Sequence, residues 1–379
     1  MKNPEKITAF SLLLVINFFF SWKYLDRFTD WSLLLSVALT LIYIAGWILS
    51  AKLPYKKIYT WLAAGIVVVY ATGMVLAFHR FPVSGLNVDR WSVISSFWEN
   101  FNQGLYPYKA RSHMGNYPGP MPFYFILAYP FLSLGELGYL SIAGFLLLAF
   151  LLLRMKNMTA VFSLVFLVTS PLTAWEILSR STILVNTTLV LLYVILLLKY
   201  RIDRPLNLFL FAIAGGLLLS TRSVFILSYL FLVILFLKNK EFSVWKIAAG
   251  GLTLLLVFIL TFLPFVLPFP GEFREMNPFT IQSSFLIPSG YIPLFLALTV
   301  AVGLMRGGED RVWLFNGVIY FLVIFIYFVY CSFSAGLKEA YFGSAADISY
   351  FIFAVPFLLY AQAKATTGKT GQKTRLHAR

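Results

Sequence analysis

An all-α integral membrane protein is the fold class this sequence predicts, on three observations. Of its 379 residues, 60% are hydrophobic and only 12% carry charge, about half the charged share of a soluble domain. The apolar residues gather into runs of the length that crosses a hydrocarbon core of about 30 Å at 1.5 Å per residue. Short basic stretches separate the runs, as topology signals do, so the net charge of +15 does not mark a nucleic-acid surface. About 12 transmembrane helices follow, near 7–22, 31–51, 58–78, 137–153, 158–175, 183–199, 206–220, 224–237, 246–268, 291–305, 312–333 and 347–361.

The first element is a transmembrane hairpin within 1–57. Met1 to Lys6 and the apolar run to Trp22 carry the charge of a signal peptide but no small-residue cleavage site, which predicts a retained helix paired with 31–51. The third span opens the longest non-spanning stretch, His79 to Glu136, which is too long for a connector. Within it Asn87 or Asp89 is placed to cap a helix whose apolar residues Trp91, Ile94, Phe97, Trp98 and Phe101 recur at helical spacing, and Gly104 to end it. This predicts an interfacial helix with both tryptophans at headgroup depth and Glu99 on its solvated side. Next come Gly104-Leu-Tyr-Pro-Tyr108, the polar Lys109, Arg111, His113 and Asn116, and Tyr117-Pro-Gly-Pro-Met-Pro-Phe123. Prolines at this density forbid regular helix and suit a binding rim.

Met121 to Leu134 is the ambiguous stretch, short for a crossing and interrupted by Pro130. Leaving it out of the spans puts 20 of the 30 Lys and Arg on the cytoplasmic side, whereas counting it leaves only 9 there. The positive-inside rule therefore makes 121–134 a re-entrant or interfacial element on the outer face, with the 79–136 loop outside and both termini cytoplasmic. The spans of 291–363 complete the bundle. Residues 364–379 are basic and without apolar period, a disordered tail attracted to anionic lipid.

Metal and redox chemistry find little to use. Cys331 is the one cysteine, the three histidines are scattered without metal-ligand spacing, and acids are not clustered, which predicts neither metal nor cofactor.

Several elements together resemble the GT-C superfamily, polytopic glycosyltransferases that use a polyprenyl-phosphate-linked sugar, especially its lipid-phosphomannose-dependent mannosyltransferases. They are Asp89 early in the outer loop, Gly104 to Tyr108 as a G-x-x-PY-type element, and Tyr117 onward as a YPP-type element entering a juxtamembrane helix. Thr169-Ser-Pro171 with Trp175 to Ser181, and Gly215-Gly-Leu-Leu-Leu-Ser-Thr-Arg222, match later outward helix ends. The likeness covers roughly 58–290. It departs from the family where Arg90 follows Asp89 in place of a second acid, where Arg180-Ser181 replaces Gly-Gln, and in the extra hairpin before residue 58. The resemblance implies a GT-C-like catalytic module, hexose transfer on the outer face and a glycan or glycolipid acceptor, and the compact loops favour a prokaryotic inner membrane.

A sugar on phosphate already has a good leaving group, so one carboxylate base suffices and inversion follows. Asp89 is the candidate base. Arg222 and Arg180, at the ends of apolar helices, are the candidate cations for the departing phosphate, joined by Lys109, Arg111 and His113. Arg90, Tyr108, Asn116 and Tyr117 are further candidate substrate contacts. Blander roles stand beside these: Asp89 as a helix cap, Arg180 paired with Glu176, Arg222 reaching to headgroups. A secondary transporter of 12 helices or a lipid flippase is the alternative, although charges sit at helix ends rather than along a midplane path.

Overall fold

The computed structural model describes residues 3–200, 204–239, 243–285, 288–305 and 311–364, and among these residues the chain is helical without a strand. In chain order the helices are α1 (Pro4–Leu25), α2 (Ser32–Lys52), α3 (Lys57–Arg80), α4 (Arg90–Asn102), α5 (Pro122–Ser133), α6 (Gly138–Leu153), α7 (Met158–Thr169), α8 (Pro171–Leu178), α9 (Ile183–Lys199) and α10 (Pro205–Leu219). They continue with α11 (Ile226–Asn239), α12 (Val244–Leu260), α13 (Leu263–Val266), α14 (Pro270–Glu275), α15 (Pro278–Phe285), α16 (Ile292–Leu304), α17 (Val312–Ala335), α18 (Leu337–Tyr341) and α19 (Val355–Lys364). Caps follow sequence: Asn3, Asn157 and Ser243 each accept a backbone N–H from the first turn of α1, α7 and α12, and proline opens α5 and α10.

Five helices are long and apolar enough to cross a membrane: α1, α2, α3, Val244–Val266 and α17. Two further pairs pass that test only as bent units, α5 with α6 at 110° and α7 with α8 at 55°. The remaining apolar helices are shorter, including α9 and α10. Outward-facing side chains on the long helices are themselves apolar, with Ile42 65%, Val69 73% and Leu252 70% exposed. A continuous surface of this kind is stable only against lipid, which marks an integral membrane protein.

Contacts divide the chain into two units that do not follow the order of the sequence: 1–77 with 145–177 and 306–379, and 78–144 with 178–305. Thus the N-terminal hairpin groups with the C-terminal helices instead of standing alone. In this first unit α1 packs on α2, α17 and α19. Its buried Lys23 donates to the Ala346 carbonyl at 2.9 Å, and Ser170 at the α7–α8 bend donates to Asn17 Oδ1 at 2.8 Å. The basic tail expected at 364–379 lies, after Lys364, outside the described residues.

The second unit contains the long loop. There α10 packs on α12, α11 on α16, and α4 on α5. The apolar stripe predicted on 91–101 forms as α4, but Ile94 and Phe97 are fully buried in a protein core with Tyr106, Tyr108, Phe125 and Phe265. Phe97 and Phe125 stack at 3.7 Å. The stripe is thus covered by the chain's own rings, because α5, placed as a non-spanning element by the charge count, folds across it. Helix α5 also runs through Pro130, with the sharp turn coming later, at Gly135 (φ 85°).

Candidate functional site

Asp89 occupies the N-cap position of α4, yet its side chain makes no capping hydrogen bond. The carboxylate turns instead to residues 112–116. Its Oδ2 accepts from Ser112 Oγ at 2.8 Å and from Asn116 Nδ2 at 2.7 Å, while no described residue donates to Oδ1. Fixing one oxygen and leaving the other open is the arrangement of a held base rather than of a cap.

The turn that holds it is built by local chemistry. Ser112 N–H donates to the Asn116 carbonyl at 2.9 Å, and Gly115 N–H to the Ser112 carbonyl at 2.8 Å. Gly115 sits at φ 82°, where a Cβ is strained, so glycine lets the chain reverse within these few residues. Ser112 Oγ is shared, accepting Asn116 N–H while it donates to Asp89. Arg111 braces the outside: it donates to the Gly115 carbonyl and to the Tyr117 hydroxyl, and its guanidinium lies 4.1 Å from the Tyr117 ring. His113 stacks on Trp91, and its Nδ1 is 2.7 Å from Oγ of Ser92, three residues after Asp89 in the chain.

Beyond Tyr117 the proline-rich strap docks on the end of α10. Met121 and Tyr124 N–H donate to the Thr221 and Ser220 carbonyls at 3.4 and 3.2 Å, and Phe123 N–H donates to Ser220 Oγ. The unsatisfied first turn of α5 is thereby paired with the unsatisfied last carbonyls of α10. Arg222, one residue past that junction, is half-buried with its guanidinium 5.2 Å from the Tyr124 ring. One strap therefore connects the Asp89 turn to Arg222, although the two lie far apart in sequence.

Other candidates are placed differently. Arg180 is fully buried and donates to Glu136 twice at 3.1 Å, to the Leu178 carbonyl and to the Phe78 carbonyl, with its guanidinium 4.5 Å from the Phe78 ring. It has no open edge for a phosphate, and its partner is Glu136, not Glu176. Its backbone, at φ 55°, is held in a conformation that a non-glycine residue rarely adopts. Lys109 pairs with Glu275 at 2.9 Å, both exposed. Tyr108 is fully buried and donates to the Pro120 carbonyl, a core residue rather than a substrate contact. Burial, and then the neighbouring Tyr106, raises its hydroxyl well above the ordinary tyrosine range. Burial and the Glu272 carboxylate do the same for Tyr106, so both stay neutral donors. Arg90 is half-buried beside Asp89.

Glu136, Ser112 and Tyr124 were missed by sequence reading: each acts through a residue distant in the chain. Among the described residues no three His, Cys, Asp or Glu side chains converge as metal ligands do. Comparison with protein-family models, curated proteins and solved structures gives no match.

Proposed function

We propose that this chain is a GT-C-like membrane glycosyltransferase that moves a hexose, such as mannose, from a polyprenyl-phosphate donor to a glycan or glycolipid acceptor. The acceptor hydroxyl attacks the anomeric carbon, its proton passes to Asp89 Oδ1, and the bond to the phosphate oxygen breaks with inversion. The observation that carries this reading is the Asp89 carboxylate, released from capping, held through Oδ2 by Ser112 and Asn116, and open at Oδ1. Arg222, joined to that turn by the strap, is the cation for the departing phosphate. Arg111 and His113 flank the turn and serve the donor's head, whereas Arg180 belongs to the scaffold. The reading includes about 12 crossings, both termini in the cytoplasm of a prokaryotic cell and the site on the outer face.

The test is release of free polyprenyl phosphate from a panel of labelled polyprenyl-phosphate hexoses, by wild type and Asp89→Asn in nanodiscs with membrane glycolipid extract. Turnover of one donor by wild type, lost in a folded Asp89→Asn, supports both the reaction and the base. Equal turnover by both proteins removes Asp89 from the mechanism.

A further inference from the structure

A groove of about 490 Å³ opens between α4 and α5, away from the Asp89 turn. At 1.5 Å per residue it begins about 9 Å and ends about 21 Å along α4 from Asp89. Its wall is aromatic: Trp98 and Tyr129 meet at 4.4 Å between ring centroids, inclined by 48°. Its edge is polar: Glu99, Asn102, Gln103, Ser95 and Ser133. No Lys or Arg lines it.

The platform is rigid and the edge is open. Trp98 is locked by donation of its indole N–H to the Phe125 carbonyl at 3.1 Å and by edge contacts with Phe101 and Phe265. Tyr129 is 42% exposed. The side chains of Glu99, Asn102 and Gln103 make no hydrogen bond to any described residue, so their donors and acceptors face outward together.

We propose that this groove binds a saccharide. One face of a pyranose presents C–H groups, which carry the slight positive charge that the face of an aromatic ring attracts. Its hydroxyls both donate and accept, and they match a carboxylate with two carboxamides, a set whose geometry fixes orientation in ligand sites. A phosphate headgroup finds no cation here and meets Glu99. A quaternary ammonium would use the rings and Glu99 but leave both carboxamides without a role, and it would fill little of the volume. Saccharide binding here is separate from the transfer chemistry and needs neither donor nor Asp89.

Saturation-transfer NMR on the full chain in nanodiscs, without donor, reads it directly. The probes are methyl α-mannoside, methyl β-glucoside, N-acetylglucosamine and their di- and trisaccharides, with tetramethylammonium and glycerol phosphate as the other arms. Transfer to at least one oligosaccharide is expected. Its affinity should fall about tenfold in Tyr129→Ala and in Glu99→Ala, the loss of a stacking or hydrogen-bonding partner, and be retained in Tyr129→Phe and Asp89→Asn. Glu99 is exposed, so Glu99→Ala keeps the test sound if Tyr129→Ala fails to fold. No saccharide binding, binding indifferent to both alanine variants, or binding of tetramethylammonium or glycerol phosphate alone overturns the proposal.

Discussion

At Asp89, the two oxygens of one carboxylate have different work, and that difference is measurable. Replacing it by Asn keeps an acceptor for Ser112 and Asn116 but removes the proton acceptor, so turnover should fall about 10²- to 10⁴-fold while the thermal midpoint stays near wild type. Asn116→Ala acts at one remove. It frees Oδ2, and misplacement of the base should lower kcat about tenfold with the donor KM unchanged, whereas an equal rise in KM would make Asn116 a substrate contact. The two arginines separate in the opposite sense. Arg222→Met should cost about 10²- to 10³-fold in kcat/KM, the loss of one transition-state charge partner, in a folded protein. Glu136→Ala should instead unfold the chain more easily, by on the order of 3–5 kcal/mol, because it strands a buried guanidinium. Denaturant or thermal unfolding in detergent distinguishes them. In the sequence, the family resemblance singles out Asp89, and a position at the ends of apolar helices singles out both arginines. Neither shows that Arg180 is sealed, since its carboxylate partner lies 44 residues away and the pair forms only when the chain turns back.

Among the elements, the helices legible in the sequence are the long, uninterrupted apolar ones, since length and hydropathy alone decide them, whether they face lipid as α2 and α3 do or are more than half covered as α17 is. Thus α1, α2, α3 and α17 stand close to the runs near 7–22, 31–51, 58–78 and 312–333. Helices that answer to the protein are less legible. The run near 158–175 divides at Ser170-Pro171 into α7 and α8, where Ser170 finds Asn17, and 121–134 forms α5, packed on α4 and bent by 110° from α6. The contact between α6 and α9 is of this second kind. A Cβ on Gly144 would stand 2.4 Å from Val185 Cβ, 2.5 Å from its Cα and 2.8 Å from its backbone nitrogen. Small residues admit such close approach of helices in membranes. Gly144→Ala should therefore destabilise by about 1–3 kcal/mol, the usual cost of overpacking. Val185→Ala should not rescue it, because alanine keeps all three obstructing atoms, Cβ as well as the backbone Cα and nitrogen. Rescue by Val185→Ala would show that the helices can separate slightly at small cost.

For the whole molecule, the decisive quantity is how little of the apolar surface the protein covers itself. In their most apolar stretches only 17% of α2, 22% of α3 and 17% of Val244–Val266 is buried. The rest must face hydrocarbon, which fixes where the helices lie but not which side each end reaches. That second question turns on α5. In the proposed arrangement of about 12 crossings, an α5 that folds back leaves three crossings between the 112–116 turn and Arg204, and the two positions lie on opposite sides of the membrane. If α5 crosses, four do, and both lie on one side. The single, buried Cys331 makes this readable, since a Cys331→Ser background carries no other thiol. Met114 and Arg204 are both exposed sites for a new cysteine. An impermeant maleimide on intact cells should label Met114→Cys, and should reach Arg204→Cys only after permeabilisation. Labelling of both from one side would make α5 a true crossing and reverse every end after it. The basic stretches after residue 154 would then face outward against the positive-inside rule, and the hydrogen bonds that seat Met121 and Tyr124 on the end of α10 would have to break, because they hold Arg222 on the side of the Asp89 turn.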